Sequence, residues 1–178
     1  MNSSIAASQA LTPARPAWRA VWSLGLGVFG LITAEFLPAS LLTPMAASLG
    51  VSEGVAGQTV TATALVALVT GLLITPATKS IDRRWVLMFF SIMQIVSSLL
   101  VAFAPSLEVL LAGRLLLGVA IGGFWAMSTA TAMRLVPPAD VPKALAIIFS
   151  GVSIATVVAA PLGSYLGSLI GWRNVFIL

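Results

Sequence analysis

Cysteine and histidine are both absent from this 178-residue chain, and charged residues make up only 8% of it. Without these two residue types the chain has no thiol nucleophile, disulfide, imidazole base or usual zinc ligand. We therefore expect neither a metal site nor a cofactor. The scarcity of charge is the first sign that most of the surface does not face water.

Hydrophobic residues account for 59% of the sequence, compared with roughly 45–50% in ordinary soluble domains. Charges, prolines and glycines break this material into five complete apolar spans and the start of a sixth. The spans lie at about 20–43, 57–78, 85–104, 108–133 and 143–169, and the sixth begins near residue 173. The pattern predicts an all-α integral membrane protein, preceded by a flexible tail over residues 1–19.

The distribution of lysine and arginine predicts how the chain crosses the membrane. All but two of these residues fall on one side, at Arg15, Arg19, Lys79, Arg83, Arg84, Arg134 and Lys143. Because positive loops stay in the cytoplasm, the N-terminus is expected there. The same residues are scattered singly between apolar runs, so the positive net charge indicates membrane orientation in a lipid bilayer, and we expect no nucleic-acid partner.

The positions of the aspartates argue against an enzyme. An intramembrane serine hydrolase needs a base, which the absence of histidine removes, and an aspartyl type needs two aspartates inside the membrane. Asp82 and Asp140 both fall in predicted cytoplasmic loops. We therefore expect a protein without catalytic residues.

Two charged residues, Glu35 and Arg114, interrupt the predicted spans. At 1.5 Å per residue, Glu35 lies about 12 Å and Arg114 about 9 Å from the same membrane face. We predict that the two residues are close enough to interact, which makes both charges tolerable in a low-dielectric setting. One interpretation is a fixed ion pair that orders the bundle. The other, which we favour, is a carboxylate that exchanges a proton, because intramembrane acids are usually functional.

Several polar and aromatic residues are candidates for contact with a substrate. Trp125, in GGFWAMS, either packs in the core or forms a stacking wall for a flat substrate such as a purine or a hydrophobic drug. Gln58, Thr61 and Thr63 either present polar groups to a substrate or bond their own helix. Phe36, beside Glu35, is assigned to the same candidate path.

Rows of small residues and a charged loop are the candidates for conformational roles. Small residues recur every fourth position in the fourth and fifth spans, which favours close and tilted helix packing. The loop KSIDRRW acts either as a cytoplasmic anchor or as a gate. The candidate gating residues are Asp82, Arg83, Arg84, Gly118, Pro161 and Gly163.

Three motifs together resemble the major facilitator superfamily, in its twelve-span drug:proton antiporter branch. LLAGRLLLGVAIGG is similar to the Arg-containing motif of that family, with Arg114 and Gly118 at the expected spacing. APLGSYLG resembles the antiporter motif, with Ala160-Pro161 where the family has Gly-Pro, and GWRNVF resembles the start of the sixth span. The loop ATKSIDRRWV lacks both glycines of the family pattern.

Within that branch, EFLPASLLTPMAASLGVSEGVAGQTVTATA, GGFWAMS and MRLVPPADVPKAL are most similar to bacterial purine ribonucleoside efflux proteins. The resemblance implies the N-terminal six-helix half of a twelve-span fold with a truncated sixth span, in a bacterial inner membrane. It also implies a partner, the missing C-terminal half.

The implied function is proton-coupled export of purine ribonucleosides such as inosine, with Glu35 as proton carrier and Arg114 as its charge partner. A sugar, arabinose or multidrug exporter is the alternative, as is a non-transporting truncated fragment. The expected small-molecule partners are the substrate and protons.

Overall fold

The computed structural model describes residues 16–78 and 81–178. Residues 1–15 of the predicted tail, and Lys79, lie outside these described residues. Five long helices and one short helix follow in order along the described chain. They are α1 (Trp18–Leu49), α2 (Glu53–Ala77), α3 (Arg83–Ala102), α4 (Leu107–Leu135), α5 (Val141–Ile170) and α6 (Trp172–Val175). A single 3-10 turn, Pro138–Asp140, connects α4 to α5.

The described part of the chain contains no strand, and five of its helices are long and apolar enough to cross a membrane. These findings confirm the predicted all-α membrane fold. The first span differs most from its predicted bounds, since α1 continues to Leu49 with Pro38 and Pro44 inside it. Gly50 ends the helix because it adopts a left-handed conformation with φ +66°, which favours glycine.

Side-chain caps fix the starts of α2 and α3. The Ser52 hydroxyl accepts a hydrogen bond from the Val55 main-chain N–H at 3.3 Å. The Asp82 carboxylate accepts one from the Arg84 main-chain N–H at 2.9 Å. Each oxygen satisfies a donor that the first helical turn leaves without a partner. Asp82 of KSIDRRW is therefore a helix cap, and Arg83 and Arg84 belong to the first turn of α3.

The packing of the helices forms two related pairs. α2 packs mainly on α4, α1 packs mainly on α5, and α3 also packs on α4. If α1–α3 and α4–α6 correspond as two repeats, the pair of α1 and α5 corresponds to the pair of α4 and α2. α4 is central, because it also contacts α1 and α5.

The buried apolar residues fall into two clusters along the bundle. The larger cluster includes Leu31, Ala34 and Leu117, and the smaller includes Leu37 and Leu110. In α1 and α4 the change from one cluster to the other therefore occurs at 34–37 and at 110–117. Glu35 and Arg114 lie in these two intervals. The fold thus places both charged residues at the junction between its apolar clusters.

Candidate functional site

Arg114 is fully buried and reaches across from α4 to α1. Its Nη1 donates a hydrogen bond to the main-chain carbonyl of Ala34 at 3.0 Å, and its Nη2 donates to that of Glu35 at 3.5 Å. A buried cation needs such partners because burial removes its hydration. The two residues of the hypothesis are therefore neighbours, but Arg114 bonds main-chain oxygens and not the Glu35 carboxylate.

The carboxylate of Glu35 has a different environment from its main chain. The residue is half-buried, and its side chain makes no hydrogen bond with any described residue. Nε of Arg114 is buried and also lacks a partner among the described residues. The site therefore combines an available acidic group with a neighbouring cation that is already anchored.

Two hydroxyl groups hold the main chain of α4 on either side of this site. Thr63 of α2 donates to the carbonyl of Arg114 at 3.1 Å and to that of Thr59 at 2.8 Å. Ser97 of α3 donates to the carbonyl of Gly113 at 2.7 Å. Hydrogen bonds thus join α2, α3 and α4 at the level of Arg114.

Of the two interpretations of Thr63, the structure shows the bond to its own helix, because the buried hydroxyl donates to the carbonyl of Thr59. Ser97 was missed by sequence reasoning. Its only signal is a serine in the second half of an apolar span, and that signal does not show which neighbour the serine faces.

Close contacts between helices surround the site. A Cβ atom added to Gly118 would lie 2.5 Å from the carbonyl oxygen of Thr63. One added to Gly163 would lie 2.6 Å from Oγ of Ser40 and 2.7 Å from Cδ2 of Leu37. Pro161, two residues before Gly163, is exposed on α5. Gly118 and Gly163, one from each predicted row, therefore lie where helices touch.

The four candidate substrate residues do not form one pocket in this conformation. Phe36 is exposed on α1, and Gln58 and Thr61 are exposed on α2. Trp125 is half-buried on α4 and stacks on Phe149 of α5, with ring centroids 5.7 Å apart. Phe149 was not predicted from the sequence, because it lies in no recognisable motif.

Two cavities of the described structure lie elsewhere. One, of about 420 Å³, lies between α1, α3 and α5, and the other, of about 580 Å³, lies between α1, α3 and α4. Neither is lined by Phe36, Gln58, Thr61 or Trp125. Arg84 lines the second cavity. Asp82 and Arg84 are exposed, and Arg83 is half-buried.

The helical bundle and its motifs define the class of protein. Residues 24–178 match the family model of the Major Facilitator Superfamily. Because this match covers most of the chain, the chain belongs to that superfamily. The charged residues at the site, Glu35 and Arg114, both lie within the matched region.

Individual relatives show which members of the superfamily this chain is similar to. The chain is similar to the purine ribonucleoside efflux pump NepI of Shigella dysenteriae serotype 1 (strain Sd197), of Escherichia coli (strain K12) and of Shigella flexneri. In each case it is 60% identical over 162 residues, which are 91% of this chain and 41% of the relative. The chain thus spans less than half the length of these curated relatives.

Proposed function

We propose that this chain forms part of a proton-coupled exporter of purine ribonucleosides such as inosine. The relatives named as purine ribonucleoside efflux pumps share 60% of the aligned residues. Since the chain spans 41% of their length, export is proposed for a whole transporter that also has a C-terminal half. The location is a bacterial inner membrane, with the N-terminus in the cytoplasm.

The observation that carries this proposal is the geometry of Glu35 and Arg114. The carboxylate of Glu35 is half-buried at mid-span and has no hydrogen-bond partner among the described residues. An acid in that setting can change its protonation state without breaking a bond that holds the fold. Arg114, which is tied to α1 by main-chain carbonyls, is the neighbouring positive charge.

Coupling follows if the proton and the substrate cannot occupy the site together. Substrate binding from the cytoplasm then favours release of the Glu35 proton, and protonation from the other side favours release of the substrate. Such exchange needs one half of the transporter to rock against the other. We assign conformational roles to Gly118 and Gly163, which lie in close helix contacts, and to the exposed Pro161 of α5. We assign a gating role to Asp82, which caps α3, and to Arg83 and Arg84 in its first turn.

The substrate path runs past exposed polar and aromatic groups. Phe36 follows Glu35 directly, so a substrate that contacts its ring lies near the acid. The rings of Trp125 and Phe149 already stack on each other, and such a surface suits a purine base. Gln58 and Thr61, one helical turn apart and exposed on α2, provide donors and acceptors for ribose hydroxyls.

The test is export of labelled inosine by the full-length transporter, with arabinose and a hydrophobic dye as competing substrates. We expect inosine export that depends on an imposed proton gradient and that Glu35→Gln abolishes. Glu108→Gln is the matched control, because it changes the same group at an exposed position in the first turn of α4. Export of arabinose but not inosine would refute the substrate assignment. Gradient-driven export that persists in Glu35→Gln would refute the role of the carboxylate.

A further inference from the structure

Pro38 leaves one carbonyl of α1 without its helical donor. In an α-helix the N–H of residue 38 would donate to the carbonyl of residue 34, and proline has no N–H. The carbonyl of Ala34 is the one that receives the hydrogen bond from Nη1 of Arg114, at 3.0 Å. A side chain of α4 therefore takes the place of a missing main-chain donor in α1.

The position of Pro38 explains why a protein donor is needed there. Apart from Pro142 in the first turn of α5, four prolines lie inside the described helices, namely Pro38, Pro44, Pro76 and Pro161. Of these only Pro38 is buried, and the other three are exposed. A buried carbonyl without a partner is costly, and in membrane proteins neighbouring helices commonly satisfy the groups that a proline frees.

Arg114 meets the requirement better than a shorter residue could. The guanidinium group is planar and carries several donors, so it can bond two neighbouring carbonyls at once. Nη2 accordingly reaches the carbonyl of Glu35 at 3.5 Å. The main chain of Arg114 is itself held by Thr63 at 3.1 Å. The side chain therefore extends from an anchored point on α4.

We infer that Arg114 is a positioning residue that caps the proline break in α1 by bonding the carbonyl of Ala34. The cap fixes α1 against α4 at the residue that precedes Glu35. Nothing in this contact uses the Glu35 carboxylate, which remains available for protons. That last consequence rests on the proposed function, whereas the cap itself does not.

A double-mutant cycle on the full-length protein tests the cap through thermal unfolding in detergent. Arg114→Met removes the donors and keeps an unbranched side chain, and Pro38→Ala returns an N–H to α1. We expect Arg114→Met to lower the melting temperature more when residue 38 is proline than when it is alanine. Equal losses in the two backgrounds would overturn the inference.

Pro161→Ala is the matched control, because Pro161 lies inside α5 and is exposed. Its effect and that of Arg114→Met should add. If Arg114→Met does not fold, Arg114→Lys replaces it in the same cycle. Lysine keeps the charge but lacks the planar pair of donors, so we expect a smaller coupling of the same sign. Additive effects of Arg114→Lys and Pro38→Ala would also contradict the cap.

Carbonyl NMR provides a readout that general loss of packing would not reproduce. Ala34-Glu35 is the sole Ala-Glu step in the printed sequence, so carbonyl-¹³C alanine with ¹⁵N glutamate marks the Ala34 carbonyl. Glu35→Gln identifies its signal in the longer protein. We expect Arg114→Lys to move the Ala34 carbon upfield when residue 38 is proline, and to move it less in the Pro38→Ala background. An unmoved signal would refute the bond.

These two measurements need neither substrate nor proton gradient. Absence of coupling between Arg114→Met and Pro38→Ala would overturn the cap. The export assay would still test the proposed function. Conversely, proton-driven export that persists in Glu35→Gln would overturn the proposed proton carrier while the cap stands. The two failures are therefore distinguishable.

Discussion

The contact between α2 and α4 differs from the contact between α1 and α5. In the first, α4 glycines face main-chain atoms of α2, since a Cβ on Gly122 would meet the carbonyl oxygen of Ala67 and, at 2.8 Å, the nitrogen of Gly71. A hydrogen bond from Thr63 also crosses this interface. No side-chain hydrogen bond crosses between the described residues of α1 and α5.

The contact between α1 and α5 also changes along its length. A Cβ on Gly151 would lie 2.6 Å from the carbonyl oxygen of Gly25, which is main chain. Beyond Pro161, a Cβ on Gly163 would meet only side-chain atoms of Ser40 and Leu37 within 3 Å. Main-chain contacts cannot adjust without moving a helix, whereas side chains can rotate. These contacts indicate that α2 and α4 form a rigid pair. In the contact between α1 and α5, the part beyond Pro161 can adjust by side-chain rotation.

Gly122→Ala should have the largest effect, because its new methyl group would press on main-chain atoms from two residues of α2. We expect a loss of about 3 kcal/mol or more, seen as a sharply reduced yield of monodisperse protein in size-exclusion chromatography. A yield and melting temperature equal to those of the parent would show that α2 and α4 can separate at little cost. In that case α2 and α4 do not form a rigid pair.

Gly151→Ala should have an intermediate effect. Its methyl group would face one main-chain oxygen of α1, at 2.6 Å, so we expect a loss of about 1–3 kcal/mol. The melting temperature in detergent, measured beside that of Gly122→Ala, ranks the two interfaces. A larger loss of melting temperature for Gly151→Ala than for Gly122→Ala would show that the contact between α1 and α5 is the more rigid of the two.

Gly163→Ala should cost less, about 1 kcal/mol, because Ser40 and Leu37 can adopt other rotamers. Adding Ser40→Ala removes the nearest contact, the hydroxyl at 2.6 Å, and should restore most of the lost melting temperature. The absence of any restoration would mean that the main chain, and not the side chains, limits this half of the interface.

Gly57→Ala should have the smallest effect and the opposite sign. A Cβ atom at Gly57 of α2 would meet nothing within 4 Å, while alanine favours the helix by up to about 1 kcal/mol over glycine. We expect an unchanged or slightly raised melting temperature. Destabilisation at this position would show that losses at the other glycines reflect substitution in general and not the helix contacts.

Much of the fold could be predicted from the sequence because apolar runs of about 20 residues have few alternatives to a spanning helix. The end of α1 was harder to predict. Pro44 is compatible with either a helix end or a helix interior, and α1 continues through it as far as Leu49. A proline inside a membrane helix depends on its neighbours to satisfy the freed carbonyl, and the sequence does not name those neighbours.

The site, like the fold, could be predicted from the sequence only in part. Depth arithmetic placed Glu35 and Arg114 at one level, since the rise of a helix is constant. It could not show that Arg114 bonds the carbonyl of Ala34, because that depends on helix rotation and side-chain conformation. For the same reason the buried direction of Thr63 and the stacking of Trp125 on Phe149 could not be predicted from spacing alone.

If Glu35 exchanges its proton for substrate, inosine binding should release protons. The measurement uses purified full-length protein in weakly buffered detergent with a pH-sensitive dye. We expect release from the parent and from Glu108→Gln, and none from Glu35→Gln. Release from Glu35→Gln equal to that of the parent would refute the exchange of its proton for substrate.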